Sequence, residues 1–425
     1  MPSPGETTSC ESNNTFMFMP LDLITQVLVR LPVKVVLRFK IVCKCWYSLV
    51  SSKEFAKLHQ QHAIDNPIHN NPSLQLFMVG RPPKQGKQKS MYTLKIESSE
   101  MDKLYKATGS WIYDLANSID KLKHKFDHPE SYPIGSCNGL VCFTVGLGHK
   151  MMLCLWNPAT DKYHYIKGPH LISQGLVVPL YWGFGYDPLS EDYKILVLGE
   201  LMPRKPFALL FRLRDTSNTW SRVDCPSDND MSEFMVNRTH ENSKEFRSLP
   251  ILVGHTLYWK TGDIVVPKKL LAYDLATDSF HIVPLPTLEP AATLDFYICK
   301  HRQCLCACWL CIVESSKYIK VWMLDGHGND KVWKSMFKSR GVERSFYTSL
   351  PFPKLFELKE DHKYLLLDST FKVGLALDSR GEFRHPTKGV MLTSDLLGLG
   401  KATRYVFDYT PTLACPSPQL ATTIT

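Results

Sequence analysis

One motif recurs along this 425-residue chain and narrows its architecture more than any other feature: an apolar strand-like run, an Asp or Asn, a small polar turn, then an aromatic. It reads Trp156-Asn157-Pro158-Ala159-Thr160-Asp161-Lys162-Tyr163, then Leu213 to Trp220, then Tyr273-Asp274-Leu275-Ala276-Thr277-Asp278-Ser279-Phe280. Leu324 to Trp333 and Leu377 to Phe383 repeat it more loosely. The closing aromatics Tyr163, Trp220, Phe280, Trp333 and Phe383 are spaced by 57, 60, 53 and 50 residues. A period of about 50 residues marks the blades of a β-propeller. Asp or Asn followed by small residues favours a tight turn between two strands. The aromatic then begins the next strand and packs between neighbouring four-stranded blades, whose radial stacking buries both faces.

Short β-like runs bounded by Gly, Pro, Asn and Asp fill the same region: Leu74 to Val79, Tyr92 to Ile96, Leu140 to Val145, Met151 to Trp156, Tyr193 to Leu198, Ala208 to Leu213, Thr256 to Trp259, Leu270 to Tyr273, Leu305 to Val313, Ile319 to Leu324, Tyr364 to Leu367 and Val373 to Leu377. So many short strands predict an all-β domain. Residues 63–160 have room for one or two further blades, so the expected propeller has six to eight.

The start of the chain obeys a different period. Between Met19 and Val50, 21 of 32 residues are hydrophobic, but Asp22, Arg30, Lys34, Arg38, Lys40 and Lys44 interrupt every long apolar run. That rules out a membrane span, which needs about 18 consecutive apolar residues. Leu23, Ile24, Val27, Leu28 and Leu31 share one helix face that begins after Pro20, and Pro32 is expected to end the helix. Leu37, Phe39, Val42, Cys43, Trp46, Leu49 and Val50 then spread apolar surface over more than one face. A unit of about 40 residues with neither disulfide nor metal rarely builds a sufficient core alone. The excess apolar face therefore calls for a partner.

These residues resemble an F-box. The family's Leu-Pro-x-Asp-Leu opening is Met19-Pro20-Leu21-Asp22-Leu23 here, its Arg-Leu-Pro-Val-Lys centre is intact at Arg30 to Lys34, and its Leu-Arg-Phe-Lys-x-Val-Cys-Lys-x-Trp core is intact from Leu37 to Trp46. Met19, Gln26 and Cys45 depart from the usual Leu, Glu and Ser. The later region is similar to the F-box-associated domain of plant F-box proteins, through Gly135-Ser136-Cys137-Asn138-Gly139-Leu140-Val141-Cys142, Trp156-Asn157-Pro158-Ala159-Thr160, and Gly183-Phe184-Gly185-Tyr186-Asp187-Pro188 followed by Asp192-Tyr193-Lys194. After Asp215 only the repeat pattern carries the likeness.

The first residues, rich in Ser, Thr, Asn, Pro and Glu, read as a disordered tail over 1–17; with the strand pattern, the resemblance implies an α+β multidomain protein with a helical F-box over 18–62 and a kelch-like propeller over 63–425. It implies a substrate receptor that docks on a Skp-type adaptor, and through it on a cullin-RING ubiquitin ligase, while the propeller recruits an unidentified protein target. The adaptor surface it implies comprises Pro20, Leu21, Leu23, Ile24, Val27, Leu28, Leu31, Pro32, Leu37, Val42, Cys43 and Trp46, with a share of these packing the helices together. Five basic residues against one acidic in Met19 to Val50 suit an acidic partner surface, chiefly through association rate. No catalysis, cofactor or metal is expected. A carbohydrate-binding or enzymatic propeller stays open, because fold does not fix function, and so does a non-degradative scaffold. Trp182, Tyr186 and Arg204 are candidate target contacts by loop position.

The net charge of +9 forms no basic stripe interleaved with aromatics, so nucleic acid is not an expected partner, and neither is a membrane. The polar first 15 residues lack the apolar core of a secretory signal. The thirteen cysteines therefore read as reduced thiols of a cytoplasmic or nuclear protein. In that setting the sequons at Asn13 and Asn237 carry no sugar.

Gly135-Ser136-Cys137-Asn138-Gly139 fits a G-x-C-x-G nucleophile elbow in letters only. An elbow is followed by a helix, whereas Leu140 to Thr144 is a strand run, so a glycine-bounded turn is expected. Cys299, His301, Cys304, Cys306, Cys308 and Cys311 form the densest metal-ligand cluster. Alternation of Cys304, Cys306 and Cys308 on a strand sets the thiols about 6.5 to 7 Å apart on one face. That spacing suits a buried strand better than a zinc knuckle. Arg81, Lys84, Lys87 and Lys89 read as an exposed hairpin loop. Gly398-Leu399-Gly400-Lys401 lacks the remaining residues of a phosphate loop.

Overall fold

The computed structural model describes residues 19–65, 132–146, 151–173, 177–201, 205–226, 249–260, 269–286, 292–301, 303–313, 316–326, 331–338 and 411–416. It also describes the strand segments 73–80, 90–97, 119–122, 354–358, 363–367, 374–377, 383–384 and 405–408. The tail 1–17, the stretch Arg81 to Lys89, Arg204, the Asn237 sequon and Gly398 to Lys401 lie outside the described residues.

Four helices come first: α1 Leu21–Val29, α2 Val33–Phe39, α3 Lys44–Ser51 and α4 Lys53–Asp65. Pro20 and Pro32 each stand immediately before a helix, with φ of −53° and −58°. Their carbonyls accept the first helical N–H groups, from Leu23 and Ile24 and from Val35 and Val36. Pro32 therefore opens α2; α1 has already ended at Val29. At the start of α3, Cys43 caps the helix, its Sγ accepting the Trp46 N–H at 3.4 Å. Leu28, Val29, Val36, Val50 and Phe55 form the helical core, and Trp46 meets Phe39 edge-on at 5.3 Å.

Six antiparallel four-stranded sheets follow. The first combines β1 Ser73–Gly80, β2 Ser90–Glu97 and β3 Ile119–Leu122 with β24 Tyr405–Asp408, which pairs with β1 from far along the chain. The second is β4 Tyr132–Cys137, β5 Leu140–Val145, β6 Met152–Asn157 and β7 Lys162–Lys167. After a one-turn helix, α5 His170–Ser173, comes the third: β8 Val177–Asp187, β9 Asp192–Leu201, β10 Lys205–Arg212 and β11 Trp220–Val223. The fourth is β12 Ile251–Val253, β13 Thr256–Lys260, β14 Lys269–Asp274 and β15 Ser279–Pro284. The fifth is β16 Ala292–His301, β17 Cys304–Val313, β18 Ser316–Asp325 and β19 Val332–Lys338. The sixth is β20 Lys354–Leu358, β21 Lys363–Leu367, β22 Gly374–Leu377 and β23 Phe383–Arg384.

Neighbouring sheets touch mainly through their leading strands, β24 against β4, β4 against β8, β12 against β16 and β16 against β20, while β8 meets the second strand of the fourth sheet, β13. This is a propeller of six blades among the described residues, the low end of the expected range. The recurring Asp or Asn motif is the turn into the outer strands of the second, third and fourth sheets. Asn157 Oδ1 accepts from the Ala159 and Thr160 amides, Asp215 Oδ1 from Ser217, and Asp274 Oδ1 from Ala276 and Thr277. Asp161, Asn218 and Asp278 then take positive φ, which short polar side chains tolerate. Two of the closing aromatics tie adjacent blades: Trp220 Nε1 donates to the Lys167 carbonyl at 3.0 Å and Trp333 Nε1 to the Pro284 carbonyl at 2.7 Å.

Apolar side chains fill the gaps between blades. Leu153, Leu155, Trp182, Phe184 and Phe211 pack the second against the third, Leu196, Leu210, Leu257, Trp259 and Tyr273 the third against the fourth, and Tyr258, Leu270, Phe296, Trp309 and Leu324 the fourth against the fifth. Trp182 belongs to this packing, so its candidacy as a target contact is withdrawn; Tyr186 is packed against the same cluster.

Candidate functional site

Several large apolar side chains stand among the exposed residues of the four helices. On α1, Leu21, Leu23 and Val27 are all about half exposed, Val27 at 52%. Pro20 and Cys43 are exposed, and Val42 stands at 56% exposure in the turn between α2 and α3. Ile24, Leu31, Leu37 and Trp46 are partly buried, Pro32 is exposed, and Leu28 is the correction among the twelve. At 1% exposure Leu28 points into the helical core, which makes it a packing residue with no surface to offer a partner. Met19, Tyr47 and above all Ile41, 90% exposed, are large apolar surface residues that helical periodicity did not select. Ile41 sits in the α2–α3 turn, where no 3.6-residue period operates.

The helices rest on the turn side of the propeller. Lys57 on α4 reaches both carboxylate oxygens of Glu191, in the β8–β9 turn, at 2.7 Å, and Arg214 reaches the same carboxylate at 3.3 Å. Between α2 and the β6–β7 turn, burial and secondarily the nearby Lys162 charge lower the Lys40 ammonium from its ordinary value. His59 of α4 closes the bundle from within, its Nε2 lying 2.9 Å from the Leu31 carbonyl. Burial holds this imidazole below the ordinary histidine value, outweighing that hydrogen bond. Its Nδ1 is buried with no hydrogen-bond partner among the described residues.

The Gly183 to Lys194 motif proves to be structural. Lys194 on β9 is buried and crosses to the next blade, with Nζ 2.9 Å from Asp187 Oδ2, 2.8 Å from Asp278 Oδ1 and 2.5 Å from the Leu275 carbonyl. Arg212 completes the group through Asp278 Oδ2 at 2.6 Å. Burial alone would raise the Asp187 carboxyl, but hydrogen bonds from Ser190, Lys194 and the Leu189 amide outweigh it and hold Asp187 below the usual carboxylate range. Asp192 accepts the Arg214 amide at 2.9 Å. A Cβ on Gly183 would lie 2.6 Å from Leu257 Cδ1 and 3.0 Å from the Trp259 ring, so this glycine permits close approach of the blades.

Neither thiol group has the setting of a nucleophile. Asn138 and Gly139, with φ of 51° and 77°, form a two-residue hairpin turn between β4 and β5, as the strand context required. Burial pushes the Cys137 thiol up to about 12. In the fifth blade Cys304, Cys306 and Cys308 do lie on one strand, β17. Cys308 Sγ is 3.7 Å from Cys299 Sγ on β16, and Cys311 faces the other way, into the packing against the fourth blade. Hydrogen bonding to Cys299, and then burial, push the Cys306 and Cys308 thiols up. These groups persist as neutral thiols packed among apolar neighbours, and none of the twelve described cysteines forms a disulfide.

Comparison with known proteins agrees with this geometry. The F-box domain model matches residues 16–58, and the F-box associated beta propeller domain model matches residues 105–346, more than half of the chain. The F-box/kelch-repeat protein At3g23880 of Arabidopsis thaliana is 26% identical over 372 residues, covering 87% of this chain and 90% of that one. The F-box protein CPR1 of the same plant is 23% identical over 386 residues, covering 85% and 83%. The propeller of Dos1 superposes over 72% of this chain and 69% of its own at a TM-score of 0.35 and 8% identity, too distant to bear on the argument. With an F-box seated on six blades and both family models matched, the chain belongs to the F-box-associated β-propeller family of plant F-box proteins.

Proposed function

We propose that this protein is the substrate receptor of a Skp-cullin-F-box ubiquitin ligase. The F-box domain implies a Skp-type adaptor as partner. The reading rests on one observation: an otherwise well-packed helical unit leaves Leu21, Leu23, Val27 and Val42 exposed while its own core closes around Leu28 and Val36. In this reading Pro20, Leu21, Leu23, Val27, Val42 and Cys43 meet the adaptor. The propeller holds a protein target in the cytoplasm or nucleus. The chain contributes two binding surfaces and leaves bond-making to an associated enzyme.

The propeller half is tested by comparing proteins held in cells by the wild type and by Val27→Asp. The proposal expects at least one protein bound by both chains and ubiquitinated only with the wild type. If the proteins bound by both carry the same ubiquitin load with either chain, the receptor role fails and the non-degradative scaffold stands.

A further inference from the structure

The segment that follows β24 connects three parts of the molecule. Asn157, fully buried at the end of β6, donates its Nδ2 to the carbonyls of Thr412 at 2.9 Å and Ala414 at 2.8 Å, while its Oδ1 caps its own turn. Thr412 Oγ1 donates to the Asn138 carbonyl in the β4–β5 turn at 2.5 Å and accepts the Ala414 amide at 3.2 Å. Ala414 is buried in the core between the second and third blades. Leu413, between these two anchored residues, packs against the helical core of Leu28, Val29, Val36, Val50 and Phe55. Asn157 belongs to the Trp156 to Thr160 motif, so a residue that shapes a blade turn also holds this segment.

We propose that residues 412–414 form a clasp that fixes the F-box on the turn side of the propeller, making the adaptor-docking face and the blades one rigid body. A buried amide and a buried hydroxyl anchor the strap at both sides of Leu413, so the leucine is held in place as a wedge. The Lys57–Glu191–Arg214 ion group has both ionic partners exposed to solvent by about half, where such pairs contribute little by themselves. It therefore sets the register of α4 and leaves the holding to the strap. The consequence for ligase geometry rests on the receptor reading above; the clasp itself does not.

Zero-length carbodiimide cross-linking of the full chain, read by peptide mass spectrometry, tests this. Lys57 and Glu191 are in direct contact across the F-box–propeller boundary, and Lys334 and Asp325, 2.6 Å apart within the fifth blade, supply an internal reference. Leu413→Ala and, separately, Thr412→Val should each lower the Lys57–Glu191 product at least fivefold relative to the Lys334–Asp325 product. Amide exchange in α1, α2 and α3 should stay slow, which shows that the F-box has come loose without unfolding. An unchanged product ratio in both variants overturns the clasp, as does loss of the product only where the helices themselves exchange fast. Failure of the wild type to bind a Skp-type adaptor would remove the receptor reading and leave the cross-linking result as it is.

Discussion

Val27 and Leu28 are adjacent on one helix turn and do opposite work. Leu28→Ala removes a fully buried side chain from a small core and should cost about 2–5 kcal/mol of stability, read as a fall in the denaturant midpoint. Val27→Asp changes a half-exposed position and should leave that midpoint within about 0.5 kcal/mol, the range of ordinary surface substitutions. His59 adds a pH dependence. Its folded value lies below the unfolded 6.5, so the folded state binds fewer protons, and the neutral imidazole's contribution is complete above pH 6.5. Stability should fall as pH drops through 6.5 toward the folded value, because protonated Nδ1 would be a buried N–H with no acceptor. Melting curves at pH 7.5 and 5 should show the loss, and His59→Gln should reduce it. Which residue faces solvent and which the core was only partly legible beforehand, since periodicity places Val27 and Leu28 on the same broad stripe. The difference comes from where α4 and α2 happen to lie.

At the scale of elements, the structure explains what could be read and what could not. All twelve apolar runs identified in the sequence fall on the second and third strands of the six sheets, such as β5 and β6 or β17 and β18. These strands have sheet neighbours on both edges and blades on both faces, so they are apolar along their length. The leading strands escaped notice for a physical reason. In β4, Pro133 and Gly135 interrupt the pattern at a bulge, and in β8, Gly183 and Gly185 trade side chains for closeness to the next blade. Gly183→Ala should therefore cost about 1–3 kcal/mol by overpacking against Leu257 and Trp259, measurable by urea unfolding. Lys194 offered no signal of burial, since two of its three partners, Asp278 and the Leu275 carbonyl, come from the next blade. Lys194→Met would strand the Asp187 carboxylate at 2% exposure and should cost about 3–5 kcal/mol. Asp278, more exposed, would lose less.

Over the whole molecule, β24 completes the first blade with a strand from more than 300 residues later, and the strap that follows it reaches the F-box core. Pairing in the first blade and contact with the helical core are thereby linked through one stretch of chain. Local sequence carries no trace of this, because the β24–β1 pairing is long-range and the strap depends on Asn138 and Asn157 being presented by turns of a different blade. The F-box and blade repeat were legible because each is a short-range pattern; their mutual seating is a property of the folded chain. The proposed docking of a Skp-type adaptor on the exposed helical residues is checked by titrating the full chain with that purified adaptor. Saturable one-to-one binding by the wild type is expected, and for Val27→Asp at least a tenfold loss with unchanged thermal unfolding. A folded wild type that does not bind, or equal affinity for wild type and Val27→Asp, would contradict it.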